Sequence, residues 1–168
     1  RTLRLISLTS KWGNFLGLDS KLCERAALLC KADLTSKMVD EFPELQGIMG
    51  KYYAEFSGEN PEICLAIEEH YKPKFSGDLT SKHLLSNCLS LADRMESIVG
   101  LWSVGNIPTG EKDPMGLRRN AIAILRILIE NNIKLNLDDL ILDAEEILNK
   151  KFSSKSNFTN IKFFFLDR

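Results

Sequence analysis

Apolar residues in this chain recur at steps of three and four along most of its length, and no stretch sustains the alternation of a half-buried strand. That period confines each segment to an amphipathic helix whose stripe faces a core. Leu5, Leu8, Trp12 and Phe15 make the first stripe. Asp19 stands where it would cap a second helix, with Leu22, Cys23, Ala26, Ala27, Cys30 and Leu34 on one side. Pro43 fits the first turn of a helix through Leu45, Ile48, Met49, Tyr52 and Tyr53. Asn60-Pro61 repeats the cap-then-proline signal before Ile63, Leu65, Ala66 and Ile67. Residues 71–78, with Pro73 and Gly77, read as a loop. A long helix should follow, presenting Leu84, Cys88, Ala92, Met95, Val99 and Trp102, until residues 105–110 break it. Asp113-Pro114 is expected to open the next helix, with Leu117, Ala121, Ile124 and Leu128 in register. Ile122, Leu125 and Ile129 widen its apolar surface and predict burial on more than one side. Leu137, Leu140, Ile141, Ala144, Ile147 and Leu148 form a further stripe. Residues 150–157 are polar and serine-rich, as in a surface linker. Phe163-Phe164-Phe165 begins a last element, for which a helix is preferred and a strand stays open. Its packing partner is expected outside the chain. The architecture these signals predict is all-α, an irregular helical bundle.

Composition narrows the function classes. A hydrophobic fraction of 44% supplies a core, and 168 residues suit one domain or one domain and part of the next. The chain opens on Arg1, not Met, so an internal piece of a longer protein is expected. The formal net charge of -1 lacks the basic excess of a free-standing nucleic-acid binder, so any RNA contact must come from a local patch. Cys23, Cys30, Cys64 and Cys88 form no CxxC pair and sit in apolar helical contexts. They read as reduced, buried small hydrophobes, which suits a cytoplasmic protein. A zinc site needs about four clustered ligands, and the only histidines are His70 and His83. No apolar run approaches the roughly 20 residues that span a bilayer.

Five segments carry a resemblance. They are RAALLCKADL from Arg25, MVDEFPELQGIMGKYYA from Met38, AIEEHYKPKFSGD from Ala66, LADRMESIVG from Leu91 and IPTGEKDPMGLRR from Ile107. In this order and spacing the stretch 19–133 resembles the middle of the beta subunit of bacterial glycyl-tRNA synthetase. Ser81, Ser86 and Ser103 depart from the family pattern, where proline, glycine and glycine are usual. The resemblance implies a heterotetrameric ligase whose alpha subunit makes glycyl-adenylate from glycine, ATP and Mg2+. The beta subunit would mostly recognise and position tRNA(Gly). The implied partners are the alpha subunit, tRNA(Gly) and the rest of the beta subunit, in the cytoplasm, with no membrane. The resemblance also implies an HD-like helical domain over residues 1–105, further helices over 106–150, and a linker with the start of a truncated element over 151–168.

HD-type phosphohydrolases hold a divalent metal on histidines and aspartates, and the metal activates water. Their usual local form resembles AALLHD. Here the corresponding residues are Ala26-Ala27-Leu28-Leu29-Cys30-Lys31, so Cys30 and Lys31 stand where His-Asp would be, while Asp93 matches the distant aspartate. A lysine ammonium repels a dication and one cysteine cannot replace two ligands. The expectation is a retained helical body with no catalytic residue, no metal and no cofactor of its own, with Asp33 and Asp93 free to pair with Lys31 or Arg94. Asp33 reads first as a turn or helix-end carboxylate. An altered HD-type phosphohydrolase and a purely structural inter-domain module are the alternatives. No phosphate loop is present, because Glu111 follows Gly110 where lysine is required. Glu68, Glu69 and His70 lack the HExxH spacing and read as a solvated helix face.

RNA contact needs cations for phosphate and exposed planar groups for bases. Tyr71, Lys72, Lys74 and Phe75 interleave the two within one loop. Lys112, Arg118 and Arg119 form a second candidate, and Lys150, Lys151 and Lys155 a weaker third. The acidic segment 41–47 repels phosphate and reads as a packing or subunit surface, with Gly47 and Gly50 permitting close helix approach.

Overall fold

The computed structural model describes residues 1–108, 113, 115–149 and 158–168. Helices account for the regular structure, and no strand occurs among the described residues. The chain divides into two compact units, Arg1–Ser90 and Leu91–Arg168, with the boundary inside one helix.

In the first unit α1 (Thr2–Phe15) and α2 (Ser20–Leu29) pack against each other through Leu5, Leu8, Trp12, Cys23, Ala26 and Ala27. Asp19 caps α2 as expected, accepting from the amides of Lys21 at 2.7 Å and Leu22 at 3.2 Å. The stripe of α2 does not reach Leu34, however. The helix ends at Leu29, a 3-10 turn takes Ala32–Thr35, and Leu34 is exposed. Ser36 then caps a short α3 (Lys37–Glu41), which the sequence reading missed.

Pro43 opens a separate 3-10 turn, Pro43–Leu45, and Gly47 at φ 82° resets the direction before α4 (Ile48–Phe56). The buried side of α4 is Gly50 and Ala54, not the tyrosine face: Tyr52 and Tyr53 point outward. A methyl group on Gly50 would lie 2.7 Å from Ile67 Cγ2 and 3.1 Å from the Asp33 carboxylate. Small residues therefore let α4 press onto α5 (Pro61–Glu69), and the large ones are left outside. Asn60 caps α5 on the Glu62 amide at 2.8 Å, with Pro61 in the first turn.

Residues 71–83 form no helix, and α6 (Leu84–Ser103) follows. Cys88, Ala92, Met95, Val99 and Trp102 are all buried, as their spacing predicts, with Leu85 in place of the half-exposed Leu84. Within the first unit, Cys88 Sγ donates to the Thr9 carbonyl.

The second unit holds the rest of α6 with α7 (Leu117–Glu130), α8 (Leu137–Asn149) and α9 (Phe158–Leu166). Helix α7 begins later than Asp113-Pro114 suggested. Asp113 lies before it and accepts from the Leu117 amide at 2.7 Å and the Arg118 amide at 3.0 Å. Leu117, Ala121, Ile124 and Ile127 are buried, but Ile122 and Ile129 are exposed, so the expected second buried face is open. Asn132, at φ 50°, closes the helix as Ile133 donates back to Leu128. The last element is a helix, and two of its three adjacent aromatics, Phe164 and Phe165, are buried within the chain while Phe163 is exposed. Phe164 meets the Trp102 ring edge-on at 5.0 Å, and Phe165 is buried. Lys162 reaches Asp138 at 2.6 Å.

All four cysteines are free and buried. Burial pushes the Cys23 thiol up to about 11, with Asp19 and Glu24 adding to the effect, and burial also raises Cys64 and Cys88. A raised thiol favours the folded state fully below its ordinary value of 9.0, and that contribution is lost as pH climbs through about 11. Since the thiolate is the nucleophile, iodoacetamide at about pH 8 should label Cys23 and Cys88 only after denaturation. Labelling of the folded chain at the rate of a free cysteine would contradict this burial.

Candidate functional site

Of the residues singled out around the metal seat, Cys30, Lys31 and Asp33 lie in or beside a partly buried polar knot in the first unit. Cys30, fully buried at the end of α2, donates its thiol to the Ala27 carbonyl at 3.3 Å. The next side chain, Lys31, crosses to the end of α5. His70 there is buried, not part of a solvated face as the charge pattern suggested. Its Nδ1 lies 2.8 Å from the Ile67 carbonyl, which can only accept, so Nδ1 carries the proton. That leaves Nε2 as an acceptor for the Lys31 ammonium at 2.9 Å. The same ammonium sits 4.0 Å from the centroid of the Tyr71 ring. Gln46 donates to the Tyr71 hydroxyl at 2.7 Å.

Asp33 ties the other side. It is buried, and its Oδ2 accepts from the Gly47 amide at 2.7 Å. So the turn carboxylate binds backbone, not the lysine two residues away. A Cβ on Gly47 would strike the Tyr71 ring at 2.7 Å, so glycine serves both the positive φ and the ring. Three segments distant in sequence are thereby joined: the end of α2, the entry to α4 and the end of α5.

A divalent cation does not fit this donor set. Among the described residues no group of three or more His, Cys, Asp or Glu gathers to hold one. Cys30 is engaged with backbone, and an ammonium occupies the space beside His70. Asp93 belongs to the second unit, where it is half-buried. Burial pulls the neighbouring Arg94 guanidinium down, with Asp93 acting in the opposite sense, and Arg94 donates to Asn120 at 3.0 Å.

The four loop candidates leave the knot with different freedoms. Tyr71 is half-buried in it. Lys72 pairs with Glu69 at 2.7 Å, and Ser81 donates to the other oxygen of Glu69 at 2.6 Å. Burial alone would raise that carboxyl, but the bonds from Lys72 and Ser81 outweigh it and hold it below the usual carboxylate value. Asp78 folds the loop back by accepting from the Lys74 amide at 2.7 Å. The Lys74 side chain and Phe75 are exposed, with Lys82 and His83 also exposed at the loop's far end. Those last two were not singled out from the sequence, because they lie in no aromatic-basic alternation. In the second unit Arg118 is half-buried and Arg119 exposed. Lys112, Lys150, Lys151 and Lys155 lie outside the described residues. No helix among the described residues is long and apolar enough to cross a membrane.

Replacing Lys31 with methionine should remove the bond to buried His70 Nε2, at a cost of about 1–3 kcal/mol in urea unfolding. Lys31→Gln keeps a donor and should lose less. Equal losses in the two variants would contradict the assigned bond.

A family model described as glycyl-tRNA synthetase beta subunit matches residues 1–168. The glycine–tRNA ligase beta subunit of Nitrosomonas europaea is 46% identical over 159 residues, covering 94% of this chain and 22% of its own length. That of Neisseria gonorrhoeae is 47% identical over 161 residues, covering 93% and 23%. That of Janthinobacterium sp. is 46% identical over 149 residues, covering 89% and 21%. The chain thus spans less than a quarter of the length of the curated relatives it matches. With that match running from the first residue to the last, the chain belongs to the glycyl-tRNA synthetase beta subunit family.

Proposed function

We propose that this chain acts within the beta subunit of a cytoplasmic glycine–tRNA ligase, holding and orienting tRNA while chemistry proceeds elsewhere. The ligase reaction converts glycine, ATP and tRNA(Gly) to glycyl-tRNA, AMP and diphosphate. ATP and Mg2+ are handled by the alpha subunit, and this chain contributes a helical, HD-like body with no catalytic group.

The observation that carries this reading is the pinned loop after α5. The knot of Lys31, His70, Tyr71 and Gln46 fixes its root, while Lys74 and Phe75 extend outward. A cation beside an exposed aromatic ring meets both requirements of single-stranded RNA, phosphate neutralisation and base stacking. Lys82 and His83 add positive and planar character at the other end of the same loop. Lys72 contributes less, because Glu69 already neutralises it. That pairing favours one second reading, in which the chain is a purely structural module between other parts of the subunit. An HD-type hydrolase is disfavoured by the ammonium beside His70.

The two readings part on one double variant. Lys74→Glu with Phe75→Ala in the intact ligase should raise the KM for tRNA by about tenfold, given about 1–3 kcal/mol for a lost base stack. Glycine-dependent ATP–diphosphate exchange, which needs no tRNA, should be unchanged. An unaltered KM for tRNA would support the structural module instead.

A further inference from the structure

The inverted packing of α4 leaves an aromatic face exposed. Its small residues, Gly50 and Ala54, are buried, while Tyr52, Tyr53 and Phe56 are 58%, 41% and 96% exposed. These three fall within one helical turn, so their rings share one surface. Aromatic side chains at this exposure are costly in water and are enriched where proteins dock.

The charge around the face selects the class of partner. From the start of α3 to the first turn of α5, residues 37–62 carry six carboxylates, Asp40, Glu41, Glu44, Glu55, Glu59 and Glu62, against two cations, Lys37 and Lys51. Lys51 is itself paired with Glu68 at 2.9 Å, and Glu59 with Arg25. The remaining five carboxylates belong to exposed residues. A phosphate backbone approaching here would meet net repulsion, whereas an apolar protein segment bearing lysine or arginine would meet complementary charge. The matched relatives hold more than three quarters of their length outside the aligned stretch, which supplies ample chain to cover such a face. A segment of the same polypeptide also arrives at high effective concentration.

We propose that the Tyr52–Tyr53–Phe56 face of α4 is an intramolecular docking surface for a basic, apolar segment of the same subunit that lies outside this chain. This surface is separate from the loop proposed to touch tRNA, and the two can fail independently.

The test places a photo-crosslinking benzoylphenylalanine at position 56 of the full-length subunit, purified with and without tRNA. Phe56 is almost fully exposed in the chain, so the substitution leaves the α4–α5 contact intact. Peptide mapping after irradiation should find an adduct within the same polypeptide, outside the present 168 residues, on a peptide with more Lys and Arg than Asp and Glu. Tyr52→Lys in the same background, which removes a ring and adds a charge that repels a basic segment, should cut its yield severalfold. An adduct to RNA, an adduct to another protein chain, or no adduct would each overturn the proposal.

Discussion

The bond from the Lys31 ammonium to His70 Nε2, 2.9 Å long, is the constraint on which the first unit's local architecture turns. Lysine offers only donors, so the histidine must present a lone pair, and the carbonyl of Ile67 holds the single ring proton on the other nitrogen. The ammonium then lies over the Tyr71 ring, whose hydroxyl is held by Gln46, beside Gly47, whose amide is held by Asp33. Lys31–His70, Gln46–Tyr71 and Gly47–Asp33 each link different segments, His70 Nδ1 is held within its own helix, and Asp33 Oδ1 is buried without a hydrogen-bond partner. Because these bonds share members, the loss of one weakens its neighbours. The fixed ammonium braces the root of the loop that follows α5.

Much of the fold was readable because it is local. Asp19 and Asn60 cap their helices within three residues of themselves, and the spacing from Cys88 to Trp102 fixes which side of α6 is buried. What failed was decided by distant partners. The aromatic stripe of α4 dominates any hydrophobic pattern, yet the helix buries Gly50 and Ala54, because α5 and Asp33 come too close for larger side chains. Neither glycine nor alanine contributes a strong periodic signal. The charge pattern of Glu68 and Glu69 suggests a solvated His70, but it is buried and bonded to a residue 39 positions earlier. Phe164 finds Trp102 across an intervening pair of helices, a contact that no window on the sequence contains.

The candidate site divides along the same line. Its residue types were visible as basic-aromatic alternation, but their availability was not. Tyr71 is drawn inward and Lys72 is paired, leaving Lys74 and Phe75 as the outward pair, joined by Lys82 and His83. Rigidity at the root of the loop is thereby joined to reach at its tip. Holding a flexible substrate such as a tRNA single strand needs the first property as much as the second, since an ordered loop loses less entropy on binding.

The most direct measurement is the tautomer of His70 from 15N chemical shifts of the imidazole at about pH 8. A neutral ring protonated on Nδ1, unchanged by added Mn2+, is what a lysine bond at Nε2 requires. A ring protonated on Nε2, or broadening of its signals by stoichiometric Mn2+, would show that the ammonium does not hold this place.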